Sequence, residues 1–178
     1  IVNILGISII RELGPVLVAV LVAGRSGSAM TAQIGVMRVT EEIDALHTMG
    51  ISRSIRVVLP KLIGLTVAMP LLVLWTSALA LLGGMVAAML QLDLSMAFFL
   101  ENLPRAVPVS NLLIGLGKGI FFGFVIALVA CHFGLQVKPN TESLSAMTTA
   151  AVVTAITTVI LVDAVFAVLT RHIGVPQL

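Results

Sequence analysis

Four apolar blocks, each long enough to cross a bilayer, constrain this chain more than any other feature. They run about Leu13–Ile34, Leu62–Leu90, Leu112–Leu135 and Ala146–Leu169. A helix needs about 20 residues to span the hydrocarbon core. In lipid the backbone must satisfy its own hydrogen bonds, and uninterrupted apolar runs do so as helices. Hydrophobic residues make up 59% of the 178 and charged residues 10%, which leaves too little polar surface for a soluble globule. The expected fold is all-α, a polytopic transmembrane helical bundle in which 1–178 form a single transmembrane domain.

The second block is longer than a bilayer requires. Pro70 is expected to kink it and Gly83-Gly84 to loosen its end, so tilt or a break is predicted. In the connection that follows, Leu94, Phe98 and Leu100 suggest a short helix on the membrane surface. The last connection, QVKPNTESLS, reads as a turn-rich loop.

Between the first two blocks lies a polar island, Met37 to Lys61, with three of the eight acidic and four of the ten basic residues. Val36, Val39, Ile43, Leu46 and Gly50 recur at three- and four-residue steps, with Glu41, Glu42 and Asp44 between them. That pattern predicts a short amphipathic helix with acids beside a narrow apolar stripe, lying in the lipid interface or docked into another protein. Gly50 is expected to end it in a left-handed conformation and Pro60 to open the next span.

Four spans place the island and the last loop on one side, with Arg38, Arg53, Arg56, Lys61 and Lys138. Arg11, Arg105 and Arg171 fall on the other. Five against three puts the island in the cytoplasm. The chain opens at Ile1 with no signal-peptide pattern. An outward-facing start fits a span upstream, so five spans are expected in the full chain. The lone Cys131 rules out an internal disulfide, and no basic cluster with aromatics suggests nucleic acid.

Small residues form two ridges suited to close helix contact: Gly115, Gly119, Gly123 and Ala127 in span three, and Ala23, Gly24, Gly27, Ser28 and Ala32 in span one. Each ridge serves helix packing or a subunit interface. Arg25, Lys118 and Asp163 are ionisable residues inside predicted spans, where a lone charge costs roughly 2.5–3.5 kcal/mol. Lys118 and Asp163 fall at similar depth and can pair, whereas Arg25 is deeper and has no evident acidic mate. Structural pairing with snorkelling and a place on a substrate route are the two readings.

Gly24-Arg25-Ser26-Gly27 matches the G-x-S-G pattern of rhomboid-type intramembrane proteases, with His132 two spans later. The depth gap between Ser26 and His132 is roughly 9 Å at helical rise, too far for a nucleophile and its base. His47, His132 and His172 are scattered without paired spacing, so no metal site is expected.

Asp44-Ala45-Leu46 followed by Gly50 and Leu59-Pro60 resembles the cytoplasmic loop of ABC importer permeases, although Gly50 to Leu59 is shorter than in that pattern. A closer resemblance covers nearly the whole chain. Arg11-Glu12-Leu13-Gly14-Pro15, the run AGRSGSAMTAQIG from Ala23 to Gly35, and MRVTEEIDALHTMGI are similar to the MlaE-type permeases of the Mla and Mce lipid transporters. The resemblance implies a homodimeric ABC permease of the bacterial inner membrane. Such a permease moves phospholipids to or from a periplasmic Mce-domain carrier and maintains outer-membrane lipid asymmetry. It further implies that Glu41, Glu42, Ile43, Asp44, Ala45, Leu46 and Gly50 form the coupling helix that contacts a separate ATPase. An outward-opening lipid cavity between protomers, lined in part by spans one and two, is implied too, as are an upstream interfacial helix and span. Gln33 stands where many members have glutamate, which removes a salt bridge to Arg25.

No G-x-x-x-x-G-K-[ST] loop occurs, so the chain is expected not to be an enzyme; ATP and Mg would reside on the partner subunit. The alternative is an ion-coupled secondary transporter using Arg25, Lys118 and Asp163. A scaffold subunit held together by its ridges is a third reading.

Overall fold

The computed structural model describes residues 6–92 and 109–170, with only the backbone for 91–92. Four helices are long and apolar enough to cross a membrane: α1 (Ser8–Val39), α3 (Ser54–Leu90), α4 (Val109–Leu135) and α5 (Thr141–Leu169). Between α1 and α3 lies the short α2 (Glu42–Thr48). Among the described residues there is no strand, so the all-α polytopic bundle holds. The surface helix expected around Leu94, Phe98 and Leu100 lies outside the described residues, as do Arg105, Arg171 and His172.

Every span starts earlier than hydropathy alone predicts. α1 begins at Ser8 and takes in Arg11 and Glu12; α3 begins at Ser54, so Pro60 lies within its helix and does not open it. α5 begins at Thr141 because Asn140 caps it, its side chain accepting from the Ser143 N–H at 2.6 Å. Part of the expected turn-rich loop is therefore helix. The expected break at Pro70 is absent: the helix runs unbroken from Leu59 to Leu92 through Pro70, Gly83 and Gly84.

Helix α4 is the hub. Its face of small residues meets α1 and α3 at distances a side chain would forbid. A Cβ on Gly115 would sit 2.5 Å from the Ile10 carbonyl oxygen, and one on Gly123 would sit 2.8 Å from that of Leu65. A Cβ on Gly119 would lie 3.1 Å from Val73. Around this ridge Val18, Ala19, Val22 and Ala23 of α1 pack with Leu65, Met69 and Val73 of α3. Phe122, Ile126 and Ala127 of α4 and Ala155 and Val159 of α5 complete the core. Helices α1 and α4 run parallel, with Ile10 beside Gly115 and Ile34 beside Gly134. The ridge of α1 behaves differently. Gly27 touches Ile126, but Gly24 faces open space and Ser28 bonds only to the Gly24 and Arg25 carbonyls of its own helix.

Candidate functional site

Two groups of polar residues stand out, one at each end of the bundle. The first is the connector. Helix α1 ends at Val39, and the chain reverses at Thr40-Glu41, with Glu41 in the left-handed region at φ 61°. The predicted stripe from Val36 to Gly50 is thus split between two helices, and Val36 is exposed. Glu42 and Asp44 occupy the first turn of α2, where carboxylates favour the helix dipole. The end of α2 is fixed by Gly50 at φ 73°: Gly50 N–H donates to the His47 carbonyl at 3.1 Å and Ile51 N–H to the Leu46 carbonyl at 3.0 Å. That pair of bonds is the Schellman arrangement, which favours glycine at this position.

Two contacts hold α2 to the bundle. Ile43 is fully buried with Ile34, Val57 and Cys131, with Leu46 packed at the edge. Arg38 at the end of α1 pairs with Asp44 at 3.2 Å. Glu41, Glu42 and Ala45 remain exposed. The connector therefore presents acids from a helix whose position is set by α1 and α3.

The second group is a buried charge cluster at the far end. Lys118 of α4 is fully buried and held by two carboxylates: Glu12 Oε2 at 2.6 Å and Asp163 Oδ1 at 3.0 Å. The depth-based pairing of Lys118 with Asp163 is present, and Glu12 is the partner that hydropathy had put outside the membrane. Glu12 also meets Arg11 at 3.4 Å. Arg11, which the sequence reading placed just outside the first span, is buried at 6% exposure. It donates to Asn111 Oδ1 at 3.5 Å, to the Thr170 carbonyl and to Thr170 Oγ1 at 3.1 Å. Among the described residues, two cations and two carboxylates thus tie α1, α4 and α5 together.

The local backbone helps place this pair. Ser8–Leu13 is a π-helical segment, and Gly14 N–H donates to the Ile9 carbonyl five residues back. Pro15 follows directly; it has no N–H and would crowd the carbonyl four residues earlier, so a wider turn before it relieves both problems. Two further π-helical segments, Ala23–Gly27 and Ser54–Val58, carry Arg25 and Arg56.

Arg25 is exposed and forms no ion pair among the described residues. Gln33 accepts a hydrogen bond from Lys61 Nζ across the α1–α3 junction and does not meet Arg25. The protease geometry is absent: Thr31 bonds to the Ala130 carbonyl and Gly27 lies at Ile126, so Ser26 is several residues from the level of His132. His132 contacts Gln136 instead. Among the described residues no group of three His, Cys, Asp or Glu could hold a metal.

Comparison with known proteins agrees with this architecture. A family model described as Permease MlaE matches residues 1–169. A probable ABC transporter permease protein of Rickettsia bellii is 36% identical over 147 residues, covering 83% of this chain and 57% of the relative. A probable ABC transporter permease protein of Synechocystis sp. is 34% identical over 154 residues, or 86% and 59%. The intermembrane phospholipid transport system permease protein MlaE of Haemophilus influenzae is 33% identical over 152 residues, or 85% and 58%. The chain spans less than two thirds of the length of the curated relatives it matches. With the match running through all four described spans and the connector, the chain belongs to the MlaE permease family.

Proposed function

We propose that this chain is the membrane half of an ATP-driven transporter that moves phospholipids between the inner membrane and a periplasmic carrier. In this reading two copies enclose the lipid route, and a separate ATPase binds ATP and Mg and grips α2. A periplasmic Mce-domain protein receives or delivers the lipid, and the cycle maintains outer-membrane lipid asymmetry. The observation that carries the reading is the connector: an acid-bearing helix with its apolar side anchored by Ile43 and its other faces exposed. Such a helix gives a motor a rigid handle. The phospholipid relative from Haemophilus influenzae supports the cargo, and the exposed apolar faces of α1 and α3 suit acyl chains or a second copy.

Reversing the handle's charge tests this directly. Glu41→Arg with Glu42→Arg should abolish co-purification of the ATPase while the permease still inserts and dimerises. Asp44→Arg is a less clean probe, because it would also place two arginines together at Arg38. Undiminished ATPase recovery from the double variant would count against the reading. The ion-coupled alternative has less support, since Lys118 is already neutralised by two carboxylates and Arg25 lies apart from them.

A further inference from the structure

Between α2 and the adjoining turns of α1 and α3 lies a cavity of about 530 Å³. Its polar wall is Gln33, Arg56, Lys61 and Glu42; its apolar wall includes Met37, Leu46 and Met49. Glu42, Ala45, Leu46 and Met49 all line it, so one full face of α2 is turned to this space.

Lys61 gives the cavity its chemistry. It lies seven residues after Ser54, roughly 10 Å along α3, and Gln33 lies six residues before Val39, roughly 9 Å back along α1. Both residues thus lie within two to three turns of the connector ends of their helices, the part of a span that meets lipid headgroups. The amide of Gln33 accepts one hydrogen bond from Lys61 but neutralises no charge. Neither Lys61 nor Arg56 has a carboxylate partner among the described residues, and Asp44 is committed to Arg38. Two cations against the single carboxylate of Glu42 therefore face a space with an apolar wall near the connector end of the bundle.

We propose that this cavity binds the headgroup of an anionic phospholipid from the leaflet at the connector end, and that phosphatidylglycerol is a fitting example. Lys61 and Arg56 take the phosphate, as basic pockets between spans do. The upper acyl chain lies against Met37, Leu46 and Met49, and Glu42 accepts a headgroup hydroxyl. A free anion would leave the apolar wall wet, which favours an amphiphile. This site stands apart from the transport reading, since a headgroup binds here whether or not lipid is the cargo. It makes the seating of α2 sensitive to the surrounding lipid.

The test uses the full-length permease with its partner subunits in phosphatidylcholine nanodiscs containing a photoactivatable phosphatidylglycerol. Cross-links should map to Met37, Leu46 or Met49. Lys61→Gln and Arg56→Gln should each reduce labelling by about fivefold at subsaturating probe. Lys61→Arg should restore it, and Lys138→Gln should leave it unchanged. Labelling of both Gln variants at the level of the unaltered permease would overturn the proposal. So would competition by inorganic phosphate as strong as that by unlabelled phosphatidylglycerol, which would indicate a soluble anion. Absence of cross-links together with loss of the ATPase from the Gln variants would assign the cavity to the partner protein instead.

Discussion

Removing Lys118 should harm the bundle in a way that identifies which acid depends on it. Lys118 is the only cation paired with Asp163 among the described residues, whereas Glu12 keeps Arg11 at 3.4 Å when Lys118 is gone. Lys118→Met therefore orphans one carboxylate and leaves the other paired. An uncompensated charge inside a span costs roughly 2.5–3.5 kcal/mol, and breaking a buried pair roughly 3–5. Asp163 is 21% exposed, which draws the expectation to the lower end, about 3 kcal/mol. That is on the order of a hundredfold in the folded-to-unfolded ratio. Adding Asp163→Asn to Lys118→Met removes the orphan and should recover most of the loss. Adding Glu12→Gln should recover nothing, because Asp163 stays orphaned and Arg11 loses its carboxylate. Titration of the full-length permease from mixed micelles into SDS, followed by circular dichroism, gives these stabilities. Equal rescue by the two second-site changes, or a Lys118→Met cost below about 1 kcal/mol, would refute the assigned pairing.

Four further outcomes follow from the packing and the backbone. Gly115→Ala should destabilise by about 1–3 kcal/mol, since its Cβ would strike the Ile10 carbonyl. Gly117→Ala, two residues on in open space, should be neutral or mildly stabilising in the same SDS titration. Ile43→Ala should cost about 2–5 kcal/mol locally and loosen α2, read as faster proteolysis between Thr40 and Arg53 with the spans intact. Gly50→Ala should cost about 1 kcal/mol through its left-handed backbone and, if α2 is gripped as proposed, lower ATPase recovery in co-purification without changing membrane insertion.

How much of this was legible in the sequence depended on which solvent each residue meets. The number of spans followed from apolar length, and the end of α2 from the chemistry of glycine. Span ends were misplaced where polar side chains have protein partners. Arg11 and Glu12 looked like loop residues because hydropathy measures compatibility with lipid and takes no account of protein partners: Asn111, Thr170 and Lys118 supply their contacts. The same limit hid Thr141–Ser145 as the start of α5, although Asn140 followed by Glu142 was a readable cap. Lys118 and Asp163 could be matched by depth; Glu12 could not, once it had been placed outside. The glycines of α4 and α1 looked alike as patterns, yet the first ridge is filled by α1 and α3 and Gly24 is not. Spacing reveals a flat face but not what lies against it.

The two polar groups are mechanically related through α1. This helix covers 32 residues, roughly 48 Å at ideal rise, and carries the Arg38–Asp44 contact at one end and Arg11–Glu12 at the other. In the proposed cycle a pull on α2 enters α1 through Arg38 and enters α3 through the packing of Ile43 on Val57. At the far end Glu12 holds α1 to α4, while Asp163 holds α5 to the same lysine. A rigid tilt of α1 would therefore have to carry α4 and α5 with it, because separating them exposes charges to lipid at several kcal/mol each. Helix α3 makes no ion pair with this cluster among the described residues, and its contacts with α4 are apolar. Those contacts are close, with Gly119 and Gly123 seated against Val73, Met69 and Leu65, so in the proposed cycle a pull on α3 reaches α4 through packing alone, whereas a pull on α1 reaches α4 through Glu12 and Lys118 as well.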